Sequence, residues 1–118
     1  MIRFDRLKGS FSYASQGWRF AFNNDQNLRI HIVIALVVLL AAFFLKLSLI
    51  ELSIIIAMIT LVFAAELMNT AIERVVDLIT KERREDAKFA KDVSSAMVLT
   101  VAIASVVVGV IIFLPHIQ

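Results

Sequence analysis

Three long stretches of the chain are nearly free of ionisable side chains. They cover residues 30–45, 47–65 and 93–118, and the exceptions within them are His31, Glu51 and His116. A helix that crosses the hydrocarbon core of a bilayer needs about 20 apolar residues. The pattern therefore predicts three transmembrane helices, over about residues 28–46, 48–79 and 91–114.

The segment before the first stretch has a different pattern, with apolar residues at helical spacing across residues 5–24. The apolar positions are Phe11, Ala14, Trp18, Ala21 and Phe22, and the polar ones lying mostly away from them are Arg6, Lys8, Ser15, Gln16, Arg19 and Asn23. This separation favours an amphipathic helix lying in the membrane surface over an ordinary soluble helix. We predict a surface helix with its connector over residues 1–27 and a three-helix membrane domain over residues 28–118.

The composition agrees with a membrane protein and removes several kinds of site. Hydrophobic residues make up 60% and charged residues 19% of the chain, whereas soluble domains have about 45–50% and about 25%. The absence of cysteine excludes disulfides, thiolate zinc sites and cysteine nucleophiles. No Gly-rich phosphate motif occurs, which excludes P-loop and Rossmann sites. The expected fold class is an all-α membrane protein, and no nucleic-acid partner is expected.

The distribution of basic residues predicts the orientation of the spans. One group precedes the first span, a second lies between the second and third spans, and the first loop contains only Lys46. The first group is Arg3, Arg6, Lys8, Arg19 and Arg29, and the second is Lys81, Arg83, Arg84, Lys88 and Lys91. Because cytoplasmic loops carry an excess of Lys and Arg, we expect the N-terminus and the second loop in the cytoplasm and the C-terminus outside.

The second predicted span carries four polar residues at spacings of 3, 4 and 4. They are Glu66, Asn69, Glu73 and Asp77. This spacing places all four on one face of a helix, with Glu66 roughly 10 Å deeper in the membrane than Glu73. A carboxylate within the hydrocarbon costs at least about 2.5 kcal/mol. Glu66 therefore requires either an interaction partner or a function that offsets this cost, and its position suits a proton acceptor.

The shallower carboxylates of this stripe favour a magnesium site at the cytoplasmic interface. Glu73 and Asp77 supply oxygen ligands, and Mg²⁺ is commonly shared between such ligands and substrate phosphates. A purely structural alternative is that the stripe hydrogen-bonds to neighbouring helices, with Glu73 paired to Arg74 or Lys81. Four polar residues graded from membrane to water favour a functional interpretation.

Two further polar segments would meet the stripe at the same membrane surface. Residues 23–27 connect the surface helix to the first span and can be interpreted simply as a capped connector. Residues 81–92 can be interpreted simply as a solvated charged loop, but their cations could also hold polyphosphate. Together these features describe a site that positions and neutralises phosphate beside a buried acid, which suits phosphoryl transfer to a lipid alcohol.

Three sequence blocks resemble the prokaryotic diacylglycerol kinases. Residues 66–77 read ELMNTAIERVVD and closely resemble that family's signature ExxNxAIExxVD. Ala90-Lys91-Asp92 resembles the family's second block, and residues 17–21 resemble the start of its surface helix. The resemblance extends over about residues 6–114.

The resemblance implies an architecture and a reaction. It implies a homotrimeric helical bundle in the bacterial cytoplasmic membrane, with active sites shared between neighbouring subunits. It also implies direct transfer of the γ-phosphate of MgATP to a lipid hydroxyl, without a phosphoenzyme. ATP, Mg²⁺ and a membrane lipid alcohol are therefore the expected substrate, cofactor and acceptor.

The resemblance further implies roles for individual residues. Glu66 resembles the catalytic base and Asn69 the residue that supports it. Asp25 and Glu73 resemble Mg²⁺ ligands that also belong to the nucleotide site, although the family usually has Glu at the position of Asp25. The other positions that resemble nucleotide contacts are Arg6, Tyr13, Glu82, Arg83, Arg84, Lys91 and Asp92, and those that resemble lipid-side positions are Arg19 and Ser95. The charges at 82–84 differ from the family's usual pattern.

Two acceptors and one different class of function stay open at this point. Residues 69–78 and 27–31 look more like the undecaprenol kinase branch of the family than the diacylglycerol kinase branch, which favours undecaprenol. The alternative from another class is a proton or ion conductor that uses Glu66 and His31. A conductor needs polar groups along its whole path, and residues 33–45 and 54–63 contain almost none.

Overall fold

The chain folds into four α-helices. The computed structural model describes all residues, 1–118, and the helices are α1 (Phe4–Asn24), α2 (Gln26–Phe44), α3 (Leu49–Ile79) and α4 (Glu85–Phe113). A short 3₁₀ helix, Leu114–His116, follows α4. Helices α2, α3 and α4 with this extension are long and apolar enough to cross a membrane. The predicted all-α fold with three spans is confirmed, and the chain is a multi-pass membrane protein.

Helix α4 begins earlier than the apolar pattern indicates. The predicted third span starts at residue 91, whereas the helix starts at Glu85. The charged segment 81–92 is therefore mostly helical, and the connection between α3 and α4 is only residues 80–84. Glu85 and Asp86 lie in the first turn, where acidic side chains favour the positive end of the helix dipole.

The two other connections are tight and have identifiable caps. Asp25 separates α1 from α2, and its Oδ1 accepts hydrogen bonds from the backbone N–H groups of Asn27 at 2.9 Å and Leu28 at 3.2 Å. Between α2 and α3, Lys46 adopts a left-handed conformation with φ of 56°, at the position after a helix end where glycine is usual. Ser48 and Glu51 then form a capping box at the start of α3.

Helix α3 is the element on which the other helices pack. Its buried residues Ile55, Val62, Asn69 and Val76 recur every seven positions, so they lie on one face. Hydrogen bonds from Ser94 to Asn69 and between His116 and Glu51 show that α4 runs antiparallel to α3 along its length.

A single chain has almost no enclosed core. Only 12 of 118 residues are buried, and many large apolar side chains of α2, α3 and α4 are exposed. Soluble monomers rarely expose large contiguous apolar patches. Lipid or other copies of the chain must therefore cover this surface. The location of α1 in the membrane surface stays a prediction.

Candidate functional site

Glu66 is the most deeply buried charged side chain of α3. Its exposed fraction is 1%, and neither of its carboxylate oxygens accepts a hydrogen bond. The imidazole of His31 on α2 lies beside it, with 3.2 Å between His31 Nε2 and Glu66 Oε1. This distance allows an ion pair, but the imidazole and the carboxylate are not oriented well enough to form a hydrogen bond. Burying a polar group without a hydrogen bond costs free energy, so such groups are rare and call for an explanation. Both oxygens of Glu66 are free to accept a proton.

Asn69 lies one turn after Glu66 and is held by two neighbours. The hydroxyl of Ser94 on α4 donates to Asn69 Oδ1 at 2.7 Å, and both residues are buried. Asn69 Nδ2 donates to Glu73 Oε1 at 3.4 Å. These bonds connect the buried part of the stripe to its more exposed end and fix the orientation of the Asn69 amide.

A polar cavity of about 350 Å³ lies beside this end of α3. Its lining includes Asp25, Asn69, Glu73 and Asp77. Thr70 holds Asp25 from the side, since its hydroxyl donates to Asp25 Oδ2 at 3.1 Å. The carboxyl groups of Asp25 and Glu66 are also neighbours. The structure thus brings the carboxylate of the α1–α2 connector and those of α3 to one cavity.

The donor set around this cavity fits a hard divalent cation. Asp25 and Glu73 present carboxylate oxygens, the ligand type that Mg²⁺ prefers. No group of three or more His, Asp and Glu side chains could hold a metal ion by itself. Two carboxylates are nevertheless sufficient where substrate phosphates complete the coordination, as Mg²⁺ sites in phosphoryl-transfer enzymes commonly do.

A second, larger cavity of about 550 Å³ lies between the ends of α3 and α4. The predicted nucleotide residues Glu82, Arg83, Arg84, Lys91 and Asp92 all line it. Lys91 Nζ donates to Asp77 at 2.7 Å, and Lys88 Nζ donates to Asp92 at 2.6 Å. Asp77 lines both this cavity and the polar cavity, so the two adjoin.

Glu66 itself lines a third cavity, which has both polar and apolar walls. A cavity of about 320 Å³ is lined by Glu66, Asn69, Ser95 and His31 together with Val98, Leu99 and Ala102. His31 also lines a further cavity of about 180 Å³, which is mostly apolar and extends between α2, α3 and α4 towards Phe113. The cavity that Glu66 lines therefore shares Asn69 with the polar cavity and His31 with the mostly apolar one.

The sequence is similar throughout its length to known lipid kinases. A family model described as prokaryotic diacylglycerol kinase matches residues 12–113. The chain belongs to the prokaryotic diacylglycerol kinase family. This confirms the predicted family and the predicted enzyme class, since the relatives are named as lipid kinases.

Individual relatives in this family carry two different names. An undecaprenol kinase of Bacillus subtilis is 41% identical over 112 residues, which are 94% of this chain and 90% of the relative. A diacylglycerol kinase of Synechocystis is 42% identical over 107 residues, or 90% of this chain and 61% of the relative. A diacylglycerol kinase of Escherichia coli is 34% identical over 113 residues, or 96% of this chain and 93% of the relative. These identities do not separate the two acceptors.

Three residues predicted for the site lie apart from it in a single chain. Arg6, Tyr13 and Arg19 are exposed on α1 and do not line any of the four cavities described above. Helix α1 contacts α3 through other residues: Trp18 packs edge-on against Phe63. The structure of one copy therefore places Asp25 and the predicted residues of α3, of α4 and of the connection between them at adjoining cavities, but not those of α1.

The structure also adds residues whose roles the sequence indicated only weakly. The sequence pointed to His31 only through the conductor alternative, and its approach to Glu66 joins positions 35 apart in sequence. The partner of Asp77 is Lys91, and Glu73 is bonded to Asn69 rather than to Arg74 or Lys81. Asp25, which precedes the first span, is a residue type that commonly caps a helix. Its contact with Thr70, 45 residues later, has no signal in the neighbouring sequence.

Proposed function

We propose that this protein is an integral-membrane kinase that transfers the γ-phosphate of ATP to the primary hydroxyl of a lipid alcohol at the cytoplasmic interface. The observation that carries the proposal is the position of Glu66, a buried carboxylate without hydrogen bonds. It lines a cavity that shares Asn69 with the polar cavity and His31 with the mostly apolar one. A lipid alcohol presents its hydroxyl at the end of an apolar body, and a nucleotide approaches from water. Glu66 lies where the two would meet.

The proposed reaction is a single displacement. Glu66 accepts the proton of the lipid hydroxyl, and the hydroxyl oxygen forms a bond to the γ-phosphorus. The bond between that phosphorus and the oxygen bridging to the β-phosphate breaks, and ADP leaves with the bonding electrons. Asn69, held by Ser94 and Glu73, supports the base by keeping this face of α3 in one arrangement.

Asp25 and Glu73 are the residues proposed to hold Mg²⁺, since their carboxylates line the same polar cavity. When bound, the ion supplies neutralisation of the charge on the phosphate oxygens. Lys91, Arg83 and Arg84 line the adjoining cavity and are proposed to contact the phosphates, with Glu82 and Asp92 completing the nucleotide site. The pairing of Lys91 with Asp77 is half-exposed and therefore weak, so phosphate can replace it at little cost.

We further propose that the active unit is a homotrimer in which neighbouring subunits share a site. The exposed apolar surface of the single chain and the distance of the α1 residues from the site both support an assembly. In such an assembly α1 of one copy can bring Arg6 and Tyr13 to the nucleotide, and Arg19 to the lipid side near Ser95, of the next copy. The number three comes from the family resemblance.

Undecaprenol is the acceptor that we propose, and diacylglycerol is the alternative favoured by the names of two of the relatives described. The test is a competition assay in which purified protein and MgATP are offered equal amounts of both lipids in mixed micelles. We expect undecaprenyl phosphate as the main product. A predominance of phosphatidic acid would assign the protein to the diacylglycerol branch, and an absence of any phosphorylated lipid would contradict the kinase proposal itself.

An ion-conducting function is less compatible with the cavities. The cavity between α2, α3 and α4 that extends towards the outer end is lined mainly by Ile, Val, Met and Phe side chains. Conduction requires polar groups along the path, and apart from His31 and Ser105 this lining offers none.

Asp25 has two separable tasks under this proposal, because it caps α2 and also lines the metal cavity. Asp25→Asn keeps an oxygen that can cap the helix but loses the charge, so we expect low activity with a thermal midpoint close to wild type. Asp25→Ala loses both, and the missing cap should lower the free energy of unfolding by about 1 kcal/mol. Thermal unfolding in detergent and MgATP-dependent activity measure the two effects. Full activity in Asp25→Asn would remove Asp25 from the metal site.

A further inference from the structure

His31 is the one group beside Glu66 that can carry positive charge. The neighbouring acids that face Glu66 are Asp25 and Glu73, so without His31 the surroundings of the buried carboxylate are negative. His31 Nε2 lies 3.2 Å from Glu66 Oε1, and no Lys or Arg forms an ion pair with Glu66.

The nearby cations have other partners. The guanidinium of Arg29 donates to the carbonyl oxygens of Phe22 at 2.6 Å and Asn23 at 3.2 Å, at the end of α1. The guanidinium of Arg74 lies over the ring of Phe20, 4.9 Å from its centroid. Lys91 is bonded to Asp77. None of the three is free to orient Glu66 in the way His31 can.

We propose that His31 is a positioning residue for Glu66 in the phosphoryl-transfer reaction. In the tautomer with its proton on Nε2, the imidazole directs that proton to Glu66 Oε1 and leaves Oε2 to accept the proton of the lipid hydroxyl. This inference rests on the proposed kinase function. His31 does not contact the reacting phosphate and acts through Glu66.

The surrounding structure holds His31 firmly enough for this role. It lies one turn after Leu28, which is fully buried, and α2 is fixed at its start by the Asp25 cap. His31 and Glu66 together line the cavity that also contains Ser95. The contact between the two is poorly aligned for a hydrogen bond in the free protein, and catalytic hydrogen bonds often tighten only when the substrate is bound.

A purely structural role for the pair, as a link between α2 and α3, predicts different behaviour. Such a link would change stability or assembly, and a conservative replacement would have no special effect on turnover. A positioning role predicts a loss in kcat with little change in KM for the lipid, because the interaction matters in the transition state and not in lipid binding.

The experiment compares His31→Leu with His31→Gln in the full-length protein, with undecaprenol as the acceptor. Leu has a similar size and no donor, and we expect its kcat to fall by about 10- to 100-fold, as misplacement of a catalytic group commonly costs. Gln carries an N–H donor at similar reach and should recover most of this loss. His116→Gln is the matched control, since His116 pairs with Glu51 at the opposite end of α3 and its loss should leave kcat unchanged.

Three results would overturn the proposal. They are a His31→Leu variant with wild-type kcat, a variant in which only KM rises, and a His31→Gln variant as impaired as His31→Leu. If the Leu variant fails to reach the wild-type mass in detergent, His31→Ala replaces it, with the same loss expected and recovery expected on adding imidazole; no recovery would contradict positioning. Wild-type protein that phosphorylates no lipid alcohol would instead contradict the proposed function, so the two failures are distinguishable.

Discussion

Glu66→Gln is expected to abolish nearly all lipid phosphorylation while leaving the protein assembled. Gln has almost the same shape as Glu but cannot accept the hydroxyl proton at neutral pH. Removal of a general base typically lowers turnover by about 10²- to 10⁴-fold. The buried site should accept the neutral amide readily, because Glu66 is 1% exposed and its oxygens have no hydrogen bonds to lose. The effect is measured as the rate at which labelled phosphate is transferred from the γ-position of MgATP to the lipid.

Two companion measurements make this result interpretable. Light scattering and circular dichroism in detergent should show the mass of the wild-type assembly, proposed as a trimer, and its helical content. Glu66→Asp retains a carboxylate that is one methylene shorter, and it should keep a small but measurable activity above that of Glu66→Gln. Near wild-type turnover in Glu66→Gln, with the assembly intact, would show that another group takes the proton.

Glu73→Gln is expected to raise the Mg²⁺ concentration needed for half-maximal activity by at least about tenfold, in line with the cost of disturbing a metal site. Glu73 lines the polar cavity with Asp25 and accepts only one long hydrogen bond, 3.4 Å from Asn69 Nδ2. Its carboxylate therefore has free lone pairs for a cation. Gln keeps the length of the side chain and removes the negative charge. Mg²⁺ titrations of kinase activity at saturating ATP provide the measurement.

The control for this titration is a carboxylate on the same side of the proposed membrane that does not line the polar cavity. Asp86 in the first turn of α4 is exposed, and Asp86→Asn should leave the Mg²⁺ titration unchanged. An identical shift in both variants would indicate a general loss of negative surface charge. An unchanged titration in Glu73→Gln would remove Glu73 from the metal site.

The stripe on α3 was predictable because its information is local. A helix has 3.6 residues per turn, so spacings of 3 and 4 place Glu66, Asn69 and Glu73 on one face whatever surrounds the helix. The start of α4 was not predictable from the apolar run. That run marks where the chain enters the lipid, near residue 91, whereas the helix begins six residues earlier, at Glu85.

The partners of the stripe could not be predicted, because they depend on how the helices rotate and pack. Glu66 meets His31 only because α2 presents that residue to α3, and Asn69 meets Ser94 rather than its neighbour Ser95 because of the rotation of α4. A rotation of one residue, about 100°, would exchange these contacts. The packing of a single chain also leaves Arg6 and Tyr13 away from the site. The sequence around these two residues gives no sign of this separation.

The amino-acid sequence alone determined that this protein resides in a membrane, crosses it three times and carries one buried acid that requires either a partner or a function. Those conclusions need only the length of apolar stretches, the period of a helix and the cost of burying charge. The tertiary structure alone decided that this acid has no hydrogen bond and that His31 is its neighbour. It also decided that the cavity lined by this acid shares residues with a polar cavity and with an apolar one. Contacts between residues distant in sequence arise from the packing of whole helices, and packing is set by all the side chains of an interface together.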